Sequence, residues 1–118
     1  MKIILDTNFL MTALRFKVDI FSELKGNELF VITNIIDELE KLSKGSSKDV
    51  KYAKLSLEMV KRKGLKVLTS KEKNTDKSLV EYSKKGYAIA TQDRPLKEII
   101  KETKGKVIFI RQKKYLII

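Results

Sequence analysis

The sequence predicts an α/β fold with three layers, α/β/α, around a central, mainly parallel sheet of about five strands. Three observations carry this. Short, unbroken apolar runs recur along the chain, as strands buried on both faces require. Segments with apolar residues at helical spacing alternate with them, the pattern of strand–helix–strand crossovers. Only five glycines and one proline punctuate the 118 residues, so the connections are short.

Taken in order, residues 2–5 (Lys-Ile-Ile-Leu) read as a buried strand. Residues 9–16 and 19–25 read as short helices, with Leu10, Leu14, Ile20, Phe21 and Leu24 on apolar faces. Residues 29–33 are a second strand, and 35–43 a helix closed by the turn Lys44-Gly45-Ser46-Ser47. The spacing of Val50, Ala53, Leu57 and Val60 predicts a helix over 48–63, ended by Gly64. Residues 65–68 are a short strand, 75–85 a helix stopped by Gly86, and 87–91 a strand. Residues 94–103 form a helix with Pro95 in its first turn, where the missing N–H costs little. A strand follows over 106–110, and 115–118 are a candidate final short one. No linker, repeat or low-complexity tract is visible, so residues 1–118 are expected to form one domain.

Composition narrows the chemistry. A hydrophobic content of 42% suffices for one core. No apolar run approaches the roughly 18–20 residues that span a bilayer, so no membrane partner is expected. The Ile-Ile-Leu run before Asp6 is too short for a signal peptide, and a cytoplasmic location is the default expectation. Cysteine is absent, which excludes disulfides, zinc-thiolate sites and thiol nucleophiles. Histidine is absent too, which removes the commonest general base and transition-metal ligand. Hydrolytic chemistry would have to run on carboxylates, lysine, hydroxyls or water held by a hard metal. The net charge of +11 favours polyanionic partners, although a lysine-rich solvated surface would give the same figure.

Ligands of open parallel sheets bind outside the carboxyl ends of the strands. Acids collect at those ends. Asp6 directly follows the first strand; Asn8 is expected to cap the next helix, leaving Asp6 free to point into the crevice. After the second strand come Asp37, Glu38 and Glu40 on a helix whose buried stripe is Ile35, Ile36, Leu39 and Leu42. Asp37 then points to solvent, within reach of Lys41 at i+4. Glu38 and Glu40 flank the stripe, and Glu38 is preferred because it lies nearer the strand end; the alternative is that all three are surface charges. Asp76 lies in the first turn of a helix, a place the helix dipole favours, yet its spacing to Leu79 and Val80 aims it to the buried side. Asp93 follows the 87–91 strand and is equally an N-cap candidate. If four such acids gather about 5 Å apart, each pair repels by roughly 3 kcal/mol at an effective dielectric near 20. Such a cluster must hold protons or bind cations, and oxygen donors without His or Cys suit Mg²⁺ or Mn²⁺.

Four stretches, in this order and spread over the chain, resemble the PIN domain family. They are Ile4-Leu5-Asp6-Thr7-Asn8, Ile36-Asp37-Glu38-Leu39-Glu40-Lys41-Leu42, Thr75-Asp76-Lys77-Ser78-Leu79 and Ile89-Ala90-Thr91-Gln92-Asp93-Arg94-Pro95-Leu96-Lys97. The form Glu-Leu-Glu-Lys-Leu, with a later Thr-x-Asp-x-x-Leu-Lys, looks most like the ribosomal-RNA-processing branch and its archaeal relatives. It looks less like the toxin branch of toxin–antitoxin pairs. The resemblance implies a PIN-like fold and Mg²⁺- or Mn²⁺-dependent endonucleolytic cleavage of single-stranded RNA, with Asp6, Glu38, Asp76 and Asp93 as catalytic and metal-holding acids. It implies supporting roles for the polar neighbours Thr7, Asn8 and Thr91. Metal-assisted in-line attack by water, with the charge on the leaving 3′ oxygen stabilised, is then expected to give products with 5′-phosphate and 3′-hydroxyl ends. Lys44, Lys48 and Arg94 lie near the expected site edge as candidates for RNA phosphate contact. Some family members only bind RNA, and the resemblance leaves open a homodimer, ribosome-assembly factors or an antitoxin as partners.

Overall fold

Ile3, Ile4 and Leu5 are fully buried in β1 (Lys2–Leu5), because helices cover both faces of the sheet in the computed structural model, which describes residues 1–118. The same holds for Ala88, Ile89 and Ala90 of β4 (Ala88–Ala90). Both strands therefore read as unbroken apolar runs. The chain continues from β1 through α1 (Thr7–Arg15) and the single turn α2 (Ile20–Glu23) to β2 (Glu28–Ile32). Next come α3 (Thr33–Ser43), α4 (Val50–Arg62), β3 (Lys66–Leu68) and α5 (Thr75–Lys84). After β4, α6 (Arg94–Glu102) leads to β5 (Val107–Arg111) and β6 (Tyr115–Ile117).

All six strands join one sheet in the order β3-β2-β1-β4-β5-β6. Five run parallel, and β6 pairs antiparallel with β5, placing Arg111 opposite Tyr115. The turn between β5 and β6 is too short for a crossover, so only a hairpin is open to it. The sheet thus has one strand more than the central five. From β1 the chain winds outward to β2 and β3, then returns to β4 on the other side of β1. The boundary between β1 and β4 is the switch point where such sheets open a crevice at their carboxyl ends.

Helix ends follow local rules. Gly64 and Gly86 have φ of 62° and 100° and sit just past α4 and α5. The following N–H groups reach back to close the helices, Leu65 to Val60 O at 3.0 Å and Tyr87 to Tyr82 O at 3.2 Å. Asn74 caps α5 through Lys77 N, and Asp93 caps α6 through Leu96 N. The helices α1, α3 and α4 pack together, and α5 packs against α6.

Candidate active site

The site begins at the switch point. Asp6 leaves β1 with its N–H bonded to Ala90 O of β4 at 2.9 Å, which fixes the backbone at the mouth of the crevice. The residue is only 6% exposed. Its Oδ1 accepts the Thr7 N–H at 2.9 Å and its Oδ2 accepts the Thr91 hydroxyl at 2.7 Å. Burial pushes the Asp6 carboxyl up to about 6; the Thr91 and Thr7 hydrogen bonds oppose this, and the charges of Glu38 and Asp76 add to it.

Glu38, on the second turn of α3, is half-buried with both oxygens engaged. Oε1 accepts the Thr75 hydroxyl at 2.6 Å and Oε2 accepts the Thr7 hydroxyl at 3.1 Å. Thr7 thereby bridges Asp6 and Glu38. Asp37 and Glu40 are exposed, and Asp37 makes no ion pair with Lys41. Asp76 departs from the sequence reading, which aims it to the buried side of its helix. It is exposed. It does share a side with the buried Leu79, but Asp76 and Lys77 stand exposed in the first turn of α5 while Thr75 and Ser78 are covered, so the crevice rim stays open at Asp76. Its carboxyl is still raised above the usual range, by partial burial first and then by the charges of Asp93 and Glu38. Asp93 is half-buried; it caps α6, accepting Leu96 N at 3.1 Å, and its charge is felt at Asp76. The four acids thus lie in one neighbourhood, linked by repulsions from Asp6 to Glu38 and Asp76 and from Asp76 to Asp93.

Asn8 also differs from expectation. It sits inside α1 and does not cap it; Asp6 is the residue before the helix. Its Oδ1 accepts Gln92 N at 3.0 Å and lies 3.3 Å from the Thr91 hydroxyl. Asn8 therefore ties α1 to the segment after β4. Gln92 continues β4 with its side chain, donating to Ile110 O at 3.0 Å and accepting from Ile110 N at 2.7 Å. Sequence reasoning gave Gln92 and Thr75 no role, although both lie inside the matched stretches.

Beside Glu38 opens a cleft of about 410 Å³ lined only by polar residues: Thr33, Asn34, Asp37, Glu38, Lys41, Ser70, Lys73 and Thr75. Lys44 and Lys48 lie elsewhere. The 11-residue α3 starts at the crevice and carries its C-terminus about 16 Å away, and Lys44 caps that far end. Lys48 lies beyond it, beside Val50 and Lys51. Arg94 is exposed at the start of α6, 3.7 Å from Glu98.

A divalent cation fits this donor set in kind. All the converging ligands are oxygens, and a buried carboxyl with a raised pKa at a like-charged centre gains from a cation. No three acids stand close enough to close on one ion by themselves. Mg²⁺ does not need that, since it keeps several waters and binds through one or two carboxylates and substrate phosphates.

A family model described as a PIN like domain matches residues 3–113. Ribonuclease VapC4 of Methanocaldococcus jannaschii is 32% identical over 124 residues, covering 97% of this chain and 93% of that protein. The PIN domain endonuclease Utp24 superposes with a TM-score of 0.80 at 24% identity, over 96% of this chain and 87% of the other. A domain of a functionally unknown protein from Methanocaldococcus jannaschii gives a TM-score of 0.67 at 15% identity, over 93% and 91% of the two chains. The two structural likenesses speak for the fold.

Proposed function

The chain belongs to the PIN-like domain family, and from that premise we propose that it is a metal-dependent endoribonuclease hydrolysing phosphodiester bonds of single-stranded RNA. One observation carries the reading: a buried Asp6 carboxyl at the switch point, held by two protein donors and joined to Glu38 through Thr7. Without histidine or cysteine, hydrolysis in this chain falls to carboxylates, lysine, hydroxyls or water held by a hard metal, and the carboxylates are the groups that gather at the switch point.

Asp6, Glu38, Asp76 and Asp93 are the residues that would hold Mg²⁺ or Mn²⁺. Such an ion, when bound, supplies a more acidic water and neutralises charge developing on the phosphate oxygens. The protein's own part is positioning. Thr91 and Thr7 clamp Asp6, and Thr7 with Thr75 clamps Glu38, so two acids are oriented before RNA arrives. Asp93 is held by the first turn of α6, whereas Asp76 has no side-chain hydrogen bond and is free to turn towards a ligand. Hydrolysis adds the water oxygen to phosphorus and breaks the bond to the 3′ oxygen, leaving 5′-phosphate and 3′-hydroxyl ends.

The proposed setting is RNA processing in the cytoplasm, as the Glu-Leu-Glu-Lys-Leu and Thr-x-Asp-x-x-Leu-Lys forms suggest. The alternatives are a toxin-type ribonuclease with an antitoxin and a non-catalytic RNA-binding module in ribosome assembly. Homodimerisation belongs with these proposals. Purified protein with Mn²⁺ is expected to cut single-stranded RNA. Chelator, Asp6→Asn and Asp93→Asn are each expected to lower the rate by at least about a hundredfold, more than the loss of a residue that merely orients a metal ligand. Undiminished cutting by both variants would overturn the assignment of the site. Binding without cutting by wild type would favour the non-catalytic module, and growth arrest on expression, relieved by Asp6→Asn, would favour the toxin.

A further inference from the structure

Residues 34, 37, 38 and 41 form one stripe along α3, so Lys41 stands on the same face as Glu38. The opposite wall of the polar cleft is the segment joining β3 to α5. It is pinned to α3 at two places. Ser70 N donates to the Thr33 hydroxyl at 3.2 Å, and Asn34 Nδ2 donates to Glu72 O at 2.8 Å and Lys73 O at 3.2 Å. The hydroxyls of Ser70 and Ser78, 2.6 Å apart, pin the same segment to α5. Lys73 is therefore carried on a fixed backbone, facing a cleft that Lys41 also lines, with the Glu38–Thr75 pair in its wall. Neither lysine is in an ion pair. Both are free to take an anion.

The cleft contains no apolar or aromatic residue. Bases are gripped on single strands by stacking on aromatic faces, and nothing here offers one. Hydroxyls, amides and ammonium groups suit ribose and phosphate instead. Asp37 and Glu38 leave the lining without net charge, so a phosphate must sit at the two ammonium groups and away from the carboxylates. We propose that this cleft holds the sugar–phosphate backbone of the RNA strand flanking the cleaved bond, with Lys41 and Lys73 on its phosphates and the bases turned outward. The inference rests on the ribonuclease reading and deepens it: on this flank the enzyme follows the backbone and does not read sequence.

The test is binding in chelator, where no cutting occurs, so it stands apart from catalysis. Fluorescence anisotropy of a short oligouridylate is measured against salt for wild type, for Lys41→Ala/Lys73→Ala, and for Lys61→Ala/Lys84→Ala. The last pair removes equal charge from the ends of α4 and α5, at the opposite end of the sheet. The cleft variant is expected to bind at least about fivefold more weakly at low salt. Its log–log salt slope should fall by about 0.7 for each phosphate that the missing lysines leave unneutralised, as for single strands. The control pair should keep the wild-type slope. The same weakening is expected on a ribose-phosphate oligomer lacking bases. Equal slopes for the two double variants would overturn the proposal, and so would a weakening confined to the strand that carries bases. Wild type that binds in this manner yet never cuts with Mn²⁺ would sink the ribonuclease reading alone.

Discussion

Asp6 is held in a state that folding alone would not choose. Its carboxyl is raised from 3.8 to about 6, so the folded chain binds its proton more tightly than the unfolded chain does. The sign follows: between about pH 4 and 6 the folded state carries the extra proton, and stability is lost as pH rises through that window. At 1.36 kcal/mol per unit, the ionised carboxylate costs about 3 kcal/mol at pH 7. Asp6→Asn removes that charge and keeps most of the geometry. The amide oxygen can still accept Thr7 N–H, and the Thr91 hydroxyl can turn its proton to Asn8 Oδ1, 3.3 Å away. In chelator, urea unfolding should therefore find Asp6→Asn more stable than wild type at pH 7, by up to about 3 kcal/mol, with the gap closing near pH 4. A divalent cation should narrow the gap at pH 7 by stabilising wild type alone. A variant less stable than wild type at both pH values would show that Asp6 is not strained by its burial.

At the scale of the elements, two roles meet in one acid. Asp93 caps α6 through Leu96 N and also adds its charge to the field at Asp76. Asn retains the capping oxygen and Ala does not, so the two roles separate. Asp93→Ala should lower stability by about 1 kcal/mol, while Asp93→Asn should stay within about 0.5 kcal/mol of wild type, read by thermal unfolding at pH 7. Equal stability of the two variants would mean the cap is idle. The elements themselves were largely legible in the sequence, because strands buried on both faces leave unbroken apolar runs and glycines at positive φ stop helices where Gly64 and Gly86 stand. What escaped depends on partners far along the chain. Asn8 looks like a cap because local statistics make it one, but its partner is Gln92, 84 residues on. The spacing of Asp76 gives its side of the helix correctly and says nothing of how far neighbouring elements extend to cover it. Lys41 and Lys73 are invisible among 26 basic residues until folding sets them on facing walls of one cleft. Glu38 could be preferred to Glu40 only by its nearness to the strand end, a local fact, since the helix wheel sets both beside the apolar stripe.

For the whole molecule, charge acts in opposite directions on folding and on binding. The net charge is +11, and only three ion pairs form, all on the surface. The molecule measures 36 × 31 × 26 Å. At about 10 mM salt the screening length is roughly 30 Å, so every lysine repels every other across the fold; at about 0.1 M it is roughly 10 Å and only neighbours interact. Added salt should therefore stabilise the folded chain by relieving self-repulsion. The same salt should weaken nucleic-acid binding, because displaced counterions drive that association. In chelator at pH 7, raising NaCl from about 10 to 200 mM should lift Tm by a few degrees, on the order of 1 kcal/mol for a chain of this size, while affinity for single-stranded RNA falls steeply. The opposed signs are the diagnostic. A chain whose basic residues served only to keep it soluble would show the rise in Tm with little RNA affinity to lose. A Tm that falls with salt would mean that attractive pairs outweigh the repulsion, against the excess of unpaired lysines on this surface.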